Sequence, residues 1–136
     1  MTERELLGRT KLFALRILGV VEALPHTRSG NVVAGQLGRS GTSVGANYRA
    51  VCRSRSGADF ISKLGVVEEE ADESAFWMEL AGDAGMLPAG RLQSLWEEAN
   101  ALTAIMVKSR KTAAARLRKA KTEKQKPRIE DRNAPV

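Results

Sequence analysis

The sequence is short of the residues that build most catalytic and metal-binding sites. Its only cysteine is Cys52, which excludes an intrachain disulfide and gives no sign of an oxidising compartment. Its only histidine is His26, beside Pro25 in a predicted turn, so a His/Cys metal site within one chain lacks its ligands. Aromatics are 4% of 136 residues and β-branched residues form no runs, which leaves little to build strands from. Long apolar runs are missing too. The most apolar early stretch, LFALRILGVVEAL at 12–24, is interrupted by Arg16 and Glu22 and is too short to span a bilayer. The opening MTERELLGRTK lacks the charged-then-apolar layout of a secretory signal. The expectation is a soluble, cytoplasmic protein with no membrane partner.

Helix formers, by contrast, are plentiful, and four segments repeat a 4-3-4-3 apolar spacing that draws one stripe along a helix. The first stripe is Leu6, Thr10, Phe13, Ile17, Val20, Leu24, with Thr2 and Glu5 at capping-box spacing and Pro25 as the stop. The second is Val33, Leu37, Ser40, Val44, Asn47, Val51. The third is Phe60, Leu64, Val67, Ala71, Ser74, Met78, Ala81, opened by Ser56 and Asp59 and closed by Gly82 and Gly85. The fourth is Leu92, Leu95, Ala99, Leu102, Met106, Ser109, Ala113, with Pro88 near its first position. Short connections between helices of similar length predict an all-α, antiparallel up-down-up-down four-helix bundle over residues 1–121. Beyond Thr122 the chain is polar, charged and broken by Pro127 and Pro135, which predicts a disordered basic tail over 122–136.

Charge is segregated along the chain. Residues 108–136 hold eleven Lys and Arg against three acids, a net of +8, whereas residues 1–107 are net −2. Within that body, residues 28–55 carry five arginines and no acid, and residues 59–83 carry eight acids and one lysine. Such blocks bear on partner surfaces rather than on fold.

The stretch LGRSGTSVGANYRAVCRSRSG at 37–57 tests the nucleotide-binding alternatives. GRSGTSVG has no Lys where a phosphate loop needs one and no strand before it, and the stretch contains no G-x-G. Gly38, Gly41 and Gly45 are better read as thin places on a helix, where a neighbouring backbone can come close. Asn47, on the apolar stripe, is expected to make a register-fixing or inter-helix hydrogen bond. The acidic run EEEADE at 68–73 has no helical histidine to complete a di-metal site and reads as a solvated or partner-facing surface. Phe76 and Leu80 point away from the predicted core among acids, which marks a subunit interface. Arg39, Arg49 and Arg53 are natural complements for that acidic face across a subunit boundary, or else line a nucleic-acid surface. In the fourth helix Lys108, Arg110, Lys111, Arg116, Arg118, Lys119 and Lys121 are the candidates for phosphate contact. No aromatic interleaves them after Trp96, so base stacking is unsupported and binding should be salt-dependent and weakly sequence-specific.

QLGRSGTSVGANYRA (36–50) together with DFISKLGVVEEEADESAFWMELA (59–81) resembles the four-helix-bundle family of 23S rRNA intervening-sequence proteins. It is also similar to the related accessory variability determinant proteins of diversity-generating retroelements. The matching positions are Leu37, Arg39, Ser40, Ser43, Ala46 and Asn47, then Phe60, Ile61, Lys63, Leu64, Glu70, Ala71, Glu73, Phe76 and Trp77. The resemblance implies a barrel-like homopentamer without catalytic activity. For the retroelement relatives it implies binding to nucleic acid and to a reverse transcriptase through a basic surface. Two departures stand out: Gly45 where many relatives have proline, and a net acidic body.

The function expected on these grounds is a non-enzymatic, oligomeric bundle that binds RNA or DNA through phosphate contacts, with no cofactor and no catalytic residues. The alternative is an oligomeric protein-interaction scaffold whose tail docks an acidic protein partner.

Overall fold

The computed structural model describes residues 1–125, and these form four helices: α1 (Glu3–Ala23), α2 (Arg28–Val51), α3 (Gly57–Asp83) and α4 (Ala89–Gln125). No strand occurs among the described residues. The helix starts follow the local chemistry. The Thr2 hydroxyl accepts from Glu5 N while the Glu5 carboxylate accepts from Thr2 N, closing a capping box at α1. Thr27 caps α2 through Gly30 N, and Ser56 caps α3 through Asp59 N. Of the two glycines expected to end α3, Gly85 does so at φ 69°, a left-handed conformation that L side chains avoid, and Gly82 stays helical.

The predicted stripes meet in one core, where Phe13, Ile17, Leu37, Val44, Leu64, Met78, Leu102 and Met106 are all fully buried. The small polar residues on the stripes are satisfied. The Thr10 hydroxyl donates to Leu6 O at 2.8 Å, and the Ser40 and Ser74 hydroxyls share a 3.0 Å hydrogen bond between α2 and α3. Asn47 departs from expectation. It is only half-buried, its amide donates to Ser43 O one turn back in its own helix, and Tyr48 takes the core position instead. A straight helix drifts about 20° per heptad against a seven-residue stripe, and over the two heptads from Val33 to Asn47 the core side turns from Asn47 towards Tyr48, with Val51 still buried.

Each helix packs on the next in the chain, while α4 returns to α1 along a lighter seam. That seam carries the Arg9–Glu98 ion pair, with bonds of 2.8 and 2.6 Å, and a 2.9 Å bond from Arg16 to Ser94. The antiparallel order gathers the start of α1, the end of α2, the start of α3 and the end of α4 at one end of the bundle. There Gly57 faces Leu117. Residues 118–125 are exposed and continue α4 past this point by about 12 Å at 1.5 Å per residue. The helix therefore runs four residues beyond the boundary expected at Lys121. The rest of the expected tail, 126–136, lies outside the described residues.

Candidate nucleic-acid and subunit surfaces

The basic residues of α4 divide into two groups. Arg110 is held by Glu68 of α3, with Nε donating to Oε2 at 2.8 Å and Nη2 to Oε1 at 3.4 Å. That bond and the neighbouring charge raise the pKa of its guanidinium, and they turn an expected phosphate contact into a clasp between α3 and α4. Lys108, Lys111, Arg116, Arg118, Lys119 and Lys121 are exposed, and none makes an ion pair among the described residues. At 3.6 residues per turn Lys111 and Arg118 lie in one row and Lys108 and Lys119 in a second, while Arg116 and Lys121 fall elsewhere on the cylinder. The last turns of α4 thus present positive charge all round a helix that no neighbour covers.

Arg39 does not wait for another subunit. Its guanidinium donates to Glu70 at 3.0 Å and to Glu73, both of its own chain. The bond to Glu73 raises the Arg39 pKa, and the same bond lowers that of the Glu73 carboxyl. The expected pairing of helix-two arginines with the acidic face is therefore intramolecular for Arg39, because α2 and α3 are antiparallel neighbours and the register sets residue 39 opposite 70–73. Arg49 and Arg53 project at the far end of α2, away from that acidic run, into a cleft lined also by Arg55, Asp59 and Lys63.

The α3 outer face is as the stripe predicts. Phe76 is 51% and Leu80 39% exposed, with the Phe76 ring edge-on to Trp77 at 5.1 Å and 72°. Val66 extends this apolar row towards the start of the helix. A second exposed row, Leu12, Leu15 and Leu18 on α1, does not follow from the single stripe. Its signal is in the sequence all the same, since these leucines repeat at three-residue spacing beside the core row Phe13, Ile17, Val20 and make α1 apolar on two sides.

A groove of about 340 Å³ separates the end of α3 from the start of α4. It is lined by Met78, Glu79, Asp83, Leu92 and Trp96, and the Trp96 indole donates to Glu79 at 3.0 Å. At the other end, burial pushes the Tyr48 hydroxyl up to about 12 and the Cys52 thiol up to about 11, with Glu3 nearby adding to both. A thiol so raised is a poor nucleophile at neutral pH. No group of three His, Cys, Asp or Glu side chains comes together to hold a metal ion among the described residues. No described helix is long and apolar enough to cross a membrane.

Four antiparallel helices around a single core, with exposed apolar rows and one strongly basic end, define an all-α four-helix-bundle protein. The family follows from the sequence within that fold. Residues 3–108 match the family description "23S rRNA-intervening sequence protein", and the chain belongs to this family. The matched span ends at Lys108, where the basic part of α4 begins. The chain is also similar to a crystal structure of a protein with unknown function from the S23 ribosomal protein family of Bacteroides thetaiotaomicron VPI-5482. The two are 29% identical with a TM-score of 0.75, over 82% of this chain and 99% of that one. Among curated proteins no sequence matches.

Proposed function

We propose that this protein is a non-enzymatic, self-associating bundle that binds RNA or DNA through phosphate contacts made by the last turns of α4. One observation carries the proposal. Lys111, Arg116, Arg118, Lys119 and Lys121 stand on a helix that outruns its bundle, exposed and without acidic partners among the described residues. Isolated cations at this density repel one another, and a polyanion relieves the repulsion while releasing its own counterions. The absence of interleaved aromatics favours backbone contact over base recognition. Self-association is supported by the apolar rows of α1 and α3. These are different surfaces on non-neighbouring helices, so a contact between them is heterologous and closes into a ring when the rotation allows. A homopentamer, as the resemblance implies, is such a ring. Kinship with the retroelement accessory proteins would add a reverse transcriptase as partner.

The test is binding of a mixed-sequence RNA and DNA at several salt concentrations to the full chain and to the variant Arg116→Gln/Arg118→Gln/Lys119→Gln/Lys121→Gln. The wild type should show a steep fall of log K with log salt. The variant's slope should be shallower by about 0.7 to 0.9 for each phosphate that is no longer neutralised. No binding at low salt would sink the proposal, and the same charges would then read as a dock for an acidic protein partner.

A further inference from the structure

The cleft between the end of α2 and the start of α3 is not used by anything described so far. Its walls are Arg49 in the last turn of α2, Arg53 and Arg55 in the turn that connects α2 to α3, and Lys63 on α3. Its floor is Ala46 and Ala50, whose small side chains leave a volume of about 710 Å³. The three arginines are exposed and form no ion pair among the described residues. One acid, Asp59, shares the space, and its carboxylate is already occupied. Oδ2 accepts from Lys63 Nζ at 2.9 Å and from Arg55 N at 3.0 Å. Those bonds hold the Asp59 carboxyl below its usual range, so it stays ionised and cancels one cation of the four. The cleft keeps a net charge of +3.

Four cations facing one recess against a single acid repel one another, and an anion that fills the recess relieves the repulsion. The walls offer forked guanidinium donors suited to phosphate oxygens, and the lining holds no aromatic on which a base could stack. The ligand this chemistry fits is therefore a phosphodiester backbone rather than a nucleobase. Position sharpens the point. The end of α2, the start of α3 and the end of α4 share one end of the bundle, with α3 between the cleft and α4. Round the bundle surface, the path from α2 past α3 to α4 covers two interhelix spacings of about 8–10 Å each, roughly 20 Å. A strand laid across this end reaches both.

We propose that the Arg49/Arg53/Arg55/Lys63 cleft is a second phosphate-backbone site, which grips the same nucleic-acid strand as the basic turns of α4. It rests on the nucleic-acid reading of the protein but not on the α4 residues themselves. The experiment titrates a 20-nucleotide mixed-sequence single-stranded RNA against four full-length proteins across a salt series. These are the wild type, Arg49→Gln/Arg53→Gln/Arg55→Gln, the α4 quadruple variant, and the two sets combined. Circular dichroism checks that each keeps its helix content, as substitutions at exposed arginines should.

The cleft variant should bind about a hundredfold more weakly near 100 mM salt, with a log–log slope reduced by about 2, as for three single-strand phosphates left unneutralised. The combined variant should show both decrements. A cleft variant with wild-type affinity and slope, beside an α4 variant that is weakened, overturns the cleft site and leaves the α4 surface standing. A weakened cleft variant beside an unchanged α4 variant does the reverse. A wild type that binds no RNA overturns both.

Discussion

At Arg39 one guanidinium serves two carboxylates. Its side chain is 49% exposed, so water and salt screen the pair and its worth at neutral pH is small. Its signature is the pH dependence. Bonding to Arg39 lowers the Glu73 pKa below its ordinary 4.5. The stabilisation is therefore complete above that ordinary value and disappears as pH falls through the lower, folded one. Arg39→Gln should accordingly lower Tm slightly at about pH 7 and by less at about pH 3, as read by thermal melts at both. An equal deficit at the two pH values would mean that Arg39 acts through packing alone. That Arg39 would find acids of α3 was legible in the charge blocks of the sequence. That they belong to its own chain was not, because the partner of a long side chain depends on which turn of the neighbouring helix lies opposite. The same ignorance of register hid the Arg110–Glu68 clasp.

On the scale of the helix, α2 shows what its glycines are for. A methyl group added at Gly41 would lie 2.5–2.9 Å from the buried, branched side chain of Ile17, which has no room to yield. One added at Gly45 would lie 3.2 Å from the Thr10 carbonyl oxygen, so α1 crosses α2 almost backbone to backbone. At Gly38 the nearest atom is Val21 Cγ2 at 3.6 Å, an ordinary contact. Gly41→Ala should destabilise by about 1–3 kcal/mol through overpacking. Gly38→Ala should be neutral or stabilising by about 0.5–1 kcal/mol, because alanine leaves the unfolded chain less entropy to give up. Urea unfolding of the two variants decides it, and equal effects would remove the close crossing as the reason for the stripe. The four helices, their caps and nearly all core positions could be read from apolar period and capping residues, since both are local. The crossing point was half legible: three small residues in a row announce a close approach, but only the position of Ile17 says which of them it requires.

For the whole molecule, two surfaces compete for attention: the apolar rows on α1 and α3, and the basic end. The rows set the proposed assembly. Phe76→Ala together with Leu80→Ala should convert the oligomer to a smaller species by multi-angle light scattering, with helix content unchanged. An unchanged mass would move the subunit contact off α3. The basic end was legible in the sequence as the last turns of a fourth helix reaching Lys121 with a disordered tail beyond, and α4 continues four residues further. What turns it from a solubilising fringe into a candidate surface is that α4 stays helical to Gln125, well past the point where Leu117 meets Gly57.

That overshoot acts before any contact is made. Five acids cluster at 68–73 in the middle of α3, while Arg118, Lys119, Lys121 and Lys124 stand past the end of the bundle, so these two charged groups are separated along the helix axis. In the field of a polyanion such a molecule experiences a torque as well as a pull. On the proposed nucleic-acid reading, the tip of α4 would be turned towards the polyanion from about a Debye length away, before the first contact.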